Sequence, residues 1–388
     1  KFTVAWHQEP IGSLSHDGFE WSWMPEGSFN LPLVRQTIPG KLPPFINSLL
    51  PEGWLEKVLN NENERIALRS GKRYMSNITI IEQGEKLDTL PIDILHTPLS
   101  TFAKEGVFIG GYKGPRRSAL EKSFEQNLAQ LYEQSDTPRL SGVQIKAPMY
   151  LEGEGSLVPS IGKPFTHILK PAGTGGFEAL PLVEWMSLTL GRFVGFDVPD
   201  FALIPMPDDM IPALLVERFD IRTSEKDQRR MAMEDFCSLL DLTPEEKYHG
   251  TIEKTGRVLR GLTTKPEAEL RTLLKRALFA WLIADGDMHL KNLAVLKTAM
   301  PGENLFRDIR MAPLYDAVTT VVFPGLIHDR MAIKLNGKDN RLKKADFLRA
   351  STSLGLKSTE TESMIEKVLS DLTEATKTAS LPNDLAYT

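Results

Sequence analysis

One cysteine, Cys237, is present in 388 residues, and no Cys/His cluster has zinc spacing. An intrachain disulfide and a structural zinc site of the finger type are thereby excluded, and the usage fits a reducing compartment, so a cytoplasmic protein is expected. No apolar run approaches the roughly 18 to 20 residues a membrane helix needs, and Lys1-Phe2-Thr3-Val4-Ala5-Trp6 lacks a signal-peptide apolar region. Neither secretion nor membrane contact is expected. Excess positive charge is also missing: 46 Lys and Arg stand against 51 Asp and Glu, a formal net charge of −5. Any nucleic-acid contact therefore has to be regional. Gly173-Thr174-Gly175-Gly176 lacks the lysine and serine of a Walker loop, so it reads as a β-to-α connector rather than a nucleotide site.

What is there is an ordinary globular composition, 41% hydrophobic and 25% charged. The chain is too long for one core, which predicts two or three substructures. The opening reads as short strands, Phe2 to Trp6, Ile11 to Leu14 and Phe19 to Trp23, the last after the turn pair Asp17-Gly18. Apolar residues at 45, 46, 49 and 50 predict a helix broken by Pro51. Ile78 to Ile81 is a further strand, and a Pro- and Thr-rich stretch over 88–102 places a boundary near residue 100. Thr166 to Lys170 reads as a buried strand and Glu178 to Phe193 as a helix. Phe201 to Pro205 and Ala213 to Phe219 flank the turn-rich Pro207-Asp208-Asp209 as a hairpin. From Glu234 onward the sequence is mainly helical. Leu270, Leu273, Leu274, Ala277, Leu278, Trp281 and Leu282 form an apolar stripe ending at the loop signal Ala284-Asp285-Gly286, and a last amphipathic helix covers about 359 to 378.

The sharpest chemical signal hangs from that stripe. In Asp285-Gly286-Asp287-Met288-His289-Leu290-Lys291-Asn292, Asp287 and Asn292 have the Asp-x-x-x-x-Asn spacing of a kinase catalytic loop. One loop there offers a carboxylate to the attacking hydroxyl and, a turn later, an amide oxygen to Mg²⁺. The bland reading is a solvated acidic loop. Asp316 lies 24 residues beyond Asn292, an interval that suits a second Mg²⁺ ligand, since this ion usually takes only one or two from the protein; the alternative is an ordinary turn or helix cap. Lys170 ends an apolar strand and Glu184 lies on the following helix, the pairing that positions ATP phosphates in kinases, although a strand-end lysine also snorkels into water. In Leu140-Ser141-Gly142-Val143-Gln144-Ile145-Lys146, Gly142 permits close backbone approach to a phosphate. Lys334, Lys338, Arg341, Lys343, Lys344 and Arg349 crowd one stretch, either a solvated face or a contact to DNA phosphates.

The segments Leu140 to Lys146, His167-Ile168-Leu169-Lys170-Pro171, Val183-Glu184, Val216-Glu217-Arg218-Phe219-Asp220, Glu234-Asp235-Phe236-Cys237, Asp287 to Asn292 and Leu314-Tyr315-Asp316 occur in the order of the HipA-like toxin kinases. With Asn47 to Gly53 and Lys334-Leu335-Asn336-Gly337 the resemblance spans nearly the whole chain. It implies an α+β, two-lobed protein kinase-like fold: an N-terminal subdomain over 1–100, a kinase N-lobe over 101–220 with phosphate loop and hinge, and a mainly helical C-lobe over 221–388. It also implies a serine/threonine kinase using ATP and Mg²⁺. Asp287 would be the catalytic base, Asn292 and Asp316 the metal ligands, and Lys170 the phosphate contact. Ser141, Gly142, Val143, His289 and Lys291 would face the nucleotide, and the backbones of Glu217 and Phe219 would read adenine.

Family members pair with a helix-turn-helix antitoxin of HipB type, reach operator DNA mainly through it, and phosphorylate an aminoacyl-tRNA synthetase. Two departures stand out: Met288 where glycine is frequent, and Pro138-Arg139 where the family's self-inactivating serine would lie, leaving Ser141 as the nearest hydroxyl. A small-molecule kinase of the aminoglycoside phosphotransferase type could share the Asp and Asn loop but has no need of Leu49-Leu50-Pro51-Glu52-Gly53. A binding module or co-repressor with a decayed kinase site would not need all five polar positions filled.

Overall fold

The computed structural model describes residues 1–6, 9–26, 38–59, 68–69, 73–74, 78–86, 96–117, 124–134, 137–140, 144–224, 227–298 and 306–382, with Glu9 and 222–230 described by backbone only. The chain divides into two compact units, one built from Lys1–Thr174 and Asp200–Ala232 with the C-terminal residues, the other from Gly175–Pro199 and Met233–Leu381.

The first unit holds two sheets. Strands β1 (Phe2–Trp6), β2 (Glu9–His16), β3 (Trp21–Pro25) and β4 (Ile78–Glu82) are ordered β3-β2-β1-β4. β3 starts two residues later than the sequence suggested, because the Asp17 side chain accepts the N–H groups of Phe19 and Glu20 and extends the turn. Helix α1 (Pro44–Asn47) stops before Leu49, and α2 (Gly53–Val58) follows.

The second sheet runs β5 (Ala103–Lys104), β6 (Val107–Phe108), β11 (Phe201–Ile204), β12 (Ala213–Glu217), β10 (His167–Lys170), β8 (Ala147–Leu151), β9 (Ser156–Pro159) and β7 (Gly111–Tyr112). β11 and β12 form the expected antiparallel pair, and β10 sits between β12 and β8 with Lys170 opposite Leu214. Leu128 and Tyr132 of helix α3 (Phe124–Tyr132) pack into one cluster with Met149, Leu169, Ala202 and Leu215. Leu128, Met149, Leu169 and Leu215 each contribute roughly 1.5 to 3 kcal/mol by leaving water, so the centre of this sheet is a rigid base for whatever its strand ends carry. The unit ends in the hairpin β13 (Ile221–Ser224) and β14 (Asp227–Arg230).

The second unit is not as uniformly helical as its sequence implied. Glu234 lies in β15 (Ala232–Asp235), which forms a three-stranded sheet with β16 (Ala294–Thr298) and β17 (Asp308–Met311). The short run Ala294-Val295-Leu296 is fully buried, and burial of that kind does not distinguish strand from helix in so short a segment. Around it stand α4 (Leu180–Phe193), α5 (Phe236–Leu239), α6 (Ile252–Leu262), α7 (Pro266–Ile283), α8 (Lys344–Ser353) and α9 (Ser358–Thr378). The stripe on α7 is buried from Leu270 to Leu278, with Leu270, Leu273, Leu274 and Ala277 fully enclosed, whereas its last members depart from the expectation: Trp281 is half-buried and Leu282 is exposed. Among the described residues no helix is long and apolar enough to cross a membrane.

Candidate active site

Helix α7 ends abruptly at Ala284, which takes the left-handed conformation at φ 54°, ψ 48°. A residue with a Cβ pays roughly 1 to 2 kcal/mol for this, and the surroundings hold it there: the Ala284 carbonyl accepts from both the N–H and the hydroxyl of Thr320. The chain turns into Asp285, whose N–H returns to the Ala280 carbonyl at 2.8 Å while its Oδ1 accepts the Asp287 N–H at 2.9 Å. Gly286 has no room for a side chain, since a Cβ would lie 2.0 Å from the Asp329 carboxylate. Burial holds the Asp285 carboxyl well above the usual carboxylate range. Asp285 is therefore the brace of the loop, and its neighbour two residues on is the outward acid: the Asp287 side chain keeps 47% of its exposure.

Asn292 closes the loop. Its Nδ2 donates to the Asp287 carbonyl at 2.8 Å and lies 3.5 Å from Asp287 Oδ2, so the amide is oriented by its nitrogen and its oxygen is the atom a metal would take. Asn292, Asp285, Met288 and Asp316 line one small pocket. Asp316 itself has φ 49°, a left-handed backbone on a non-glycine residue of the kind that collects at functional sites. The preceding Tyr315 ties its hydroxyl to the Lys291 carbonyl at 3.0 Å, so the two expected metal ligands are cross-linked through their neighbours. One carboxylate and one amide oxygen suit Mg²⁺, a hard ion that keeps several waters. Among the described residues no group of three His, Cys, Asp or Glu could hold a metal.

Two loop residues assigned to the nucleotide by resemblance are turned inward. The ammonium of Lys291 is buried 3.3 Å from Asp235, which also caps α5 by accepting the Ser238 N–H. Burial pushes the Asp235 carboxyl up, with the Lys291 charge pulling the other way. His289 is buried with its pKa lowered to about 3, burial first and the Lys247 charge next, so its imidazole is neutral near pH 7. The segment Glu234-Asp235-Phe236-Cys237 owes its place to this support: Glu234 forms an enclosed ion pair with Lys297 and accepts the Ser238 hydroxyl.

In the first unit Lys170 is buried at the end of β10, 4% exposed, where an ammonium needs an anion close by. Glu184 is buried on α4 of the second unit. The Glu217 N–H donates to the Asp200 carbonyl at 2.8 Å, which ties the end of β12 to the residue before β11. Its carboxylate accepts the Leu99 N–H at 2.6 Å and lies 2.6 Å from His96 Nε2. Beyond it Arg218 grips Asp220 with two hydrogen bonds, donates to the Phe165 carbonyl and stacks over the Phe165 ring, fixing the end of β12 and the position of Phe219. Arg139, where the family's serine would lie, is enclosed and donates to the Tyr132 carbonyl. Ser141, Gly142 and Val143 lie outside the described residues.

Three of the six cations of the basic stretch meet acids. Lys338 and Arg349 both reach the enclosed carboxylate of Asp346, and Lys344 stands 3.5 Å from Glu362 and Glu366. Sequence reasoning missed Tyr248, whose hydroxyl donates to Asp287 Oδ1 at 3.2 Å from 39 residues upstream; no spacing rule signals such a partner.

Known proteins resemble this chain in fold and in sequence. A chain of the Shewanella oneidensis MR-1 complex of the toxin antitoxin system HipA, HipB and its operator DNA matches with a TM-score of 0.70 over 99% of this chain and 92% of that one, at 18% identity. That likeness shows the fold, the α+β kinase-like architecture the motifs implied. Two candidate kinases of Sinorhizobium fredii are related in sequence: Y4mE, 33% identical over 53% of this chain and 48% of that protein, and Y4dM, 26% identical over 73% and 63%. The matched regions thus cover less than two thirds of either relative. The model of the HipA-like C-terminal domain matches residues 139–376, more than half of the chain, and by that match the protein belongs to the HipA-like family.

Proposed function

We propose that this chain is an ATP- and Mg²⁺-dependent protein serine/threonine kinase and the toxin of a cytoplasmic toxin–antitoxin pair. The observation that supports it most is the loop at the end of α7, where an outward carboxylate, Asp287, stands on a braced backbone whose closing residue, Asn292, shares a pocket with Asp316. In the proposed reaction the acceptor hydroxyl attacks the γ-phosphorus, its proton passes to the Asp287 carboxylate, and the bond from the γ-phosphorus to the β,γ-bridging oxygen breaks to release ADP. Mg²⁺, when bound with ATP, supplies charge neutralisation on the phosphates, and Asn292 and Asp316 would hold it. Lys170 contacts the phosphates. The Glu217 carbonyl accepts from the adenine amino group and the Phe219 N–H donates to the ring. His289 and Lys291, with Ser141, Gly142 and Val143 outside the described residues, are assigned to the nucleotide by the family resemblance alone.

The functional division is 1–100 for the N-terminal subdomain, 101–220 for the N-lobe and 221–388 for the C-lobe. The partner is a helix-turn-helix protein of HipB type through which operator DNA is reached, and the phosphorylated protein is an aminoacyl-tRNA synthetase. Support for the antitoxin comes from the likeness to a chain crystallised with HipB and operator DNA.

The reading is tested with γ-labelled ATP and myelin basic protein as acceptor. Label on serine or threonine with Mg²⁺ and none with EDTA is expected. ATP at about 100 times its Kd should also add roughly 2.7 kcal/mol of stability, and only with Mg²⁺. Transfer to kanamycin without transfer to protein would move the protein to the small-molecule kinases, and an ATP-induced rise in Tm that persists in EDTA would remove Asn292 and Asp316 as ligands.

A further inference from the structure

The segment that carries Tyr248 is locked to the catalytic loop at several independent points. Its short turn Pro244–Glu246 is closed by a capping box between Thr243 and Glu246. The Lys247 carbonyl then accepts the Leu290 N–H at 3.0 Å. At Gly250 the backbone comes so near the loop that a Cβ would lie 2.5 Å from the Leu290 side chain. Tyr248 is thus carried on backbone that cannot shift without the loop shifting too. Its ring stands edge-on to the His289 ring at 5.2 Å and its hydroxyl reaches Asp287 Oδ1. Yet Tyr248 remains 47% exposed, too open to be explained as core packing.

The partner side of the contact is equally specific. The loop fixes the backbone of Asp287 through its N–H and carbonyl. That leaves the rotation of the carboxylate to side-chain contacts, among them Asn292 Nδ2 at a loose 3.5 Å from Oδ2 and His289 Nε2 at 3.6 Å from Oδ1. An acid that must face an attacking hydroxyl gains from having one oxygen held, because misplacement by about 1 Å can cost on the order of 100-fold in rate. We propose that Tyr248 is a positioning residue for phosphoryl transfer, its hydroxyl holding Oδ1 of Asp287 so that the other carboxylate oxygen faces the acceptor. Tyrosine suits this role because two torsions place a rigid ring. Burial together with the Asp287 and Asp329 carboxylates makes its proton harder to remove, so it stays a donor.

This inference rests on Asp287 being the base, and the test separates the two. Transfer of label from ATP to myelin basic protein is measured for wild type, Tyr248→Phe, Asp287→Asn and the double variant. Tyr248→Phe keeps the ring and loses only the hydroxyl. It is expected to lower kcat about tenfold, with KM for ATP and the Mg²⁺-ATP shift in Tm unchanged, and to cause no further loss when added to Asp287→Asn, because a residue acting through the carboxylate has nothing left to position. A wild-type rate in Tyr248→Phe, or the same fractional loss in both backgrounds, overturns the positioning role while leaving the base intact. Wild-type transfer by Asp287→Asn would instead remove the base assignment, and the inference with it. Tyr248→Leu, which also removes the ring, should match Tyr248→Phe in kcat if the hydroxyl is the active feature, and a much larger loss would return the residue to packing.

Discussion

Two short segments of the second unit carry dense charge, the loop from Asp285 to Asn292 and the stretch from Lys334 to Arg349, and they use it in opposite ways. In the loop the hydrogen bonds of Asp285 and Asn292 go to backbone, and the Asp287 carboxylate is left half open to solvent. In the basic stretch the acid is the enclosed member: Asp346 is 1% exposed and takes Lys338, Arg349 and the Lys343 N–H. Charge turned outward on a braced backbone is available for chemistry, whereas charge folded onto itself is architecture. Local density of ionisable residues does not tell the two apart; which of them the fold satisfies does.

The comparison breaks most sharply at Asp287. Because its structural bonds run through its backbone, Asp287→Asn should leave the fold and Mg²⁺-ATP binding intact while lowering phosphoryl transfer by about 10² to 10⁴-fold, the usual size of a lost general base. Circular dichroism, a nucleotide thermal shift and labelled transfer on one preparation check this. A variant that loses ATP binding together with activity would place Asp287 with the structural acids instead.

Asp346 is the converse case. Lys338 first, then the Lys343 N–H and Arg349, hold its carboxyl at about 2, below the ordinary 3.8. A folded-state pKa below the unfolded one gives stability that is fully present above about pH 4 and is lost as pH falls toward 2. Lys338 and Arg349 are themselves largely open to solvent, so screening leaves about 1 kcal/mol of this. Asp346→Asn should therefore lower stability by about that amount at pH 7 and by progressively less below pH 4, with phosphoryl transfer per folded molecule unchanged. Urea melts at pH 7 and pH 3 measure it, and an equal loss at both would show that the carboxylate charge is not what matters.

Much of this was legible in the sequence because it is local. The stripe on α7 and its stop at Ala284, the pair β11 and β12 around Pro207-Asp208-Asp209, and strand β10 all follow from periodicity and turn chemistry. The Asp287 to Asn292 spacing was readable for the same reason: both residues sit on one loop. What could not be read depends on pairing across the chain. Tyr248 reaches Asp287 over 39 residues, Glu217 meets His96 over 121, and the sheet of β15, β16 and β17 assembles from strands too short to betray themselves. Lys291 illustrates the limit, since the family resemblance suggested a nucleotide contact and only the fold shows its ammonium beside Asp235.

The smallest effect is expected where the sequence looked most suggestive of DNA. Lys344 stands between Glu362 and Glu366 at a largely exposed position, and such surface pairs are worth about 0 to 1 kcal/mol. Lys343 gives its N–H, not its ammonium, to Asp346. With Lys338 and Arg349 also engaged, the stretch offers phosphates a weaker field than its six cations suggest. Lys343→Glu with Lys344→Glu is therefore expected to lower stability by no more than about 1 kcal/mol, mostly at low salt, where like charges at 344, 362 and 366 repel unscreened. The same pair should leave the salt dependence of operator binding by the toxin–antitoxin complex unchanged. Each phosphate contact adds about 0.9 to the slope of log affinity against log salt. A fall of that size in gel-shift titrations of the variant would show that these lysines exchange their acids for DNA, and the segment would then belong with the outward-facing charge of the loop.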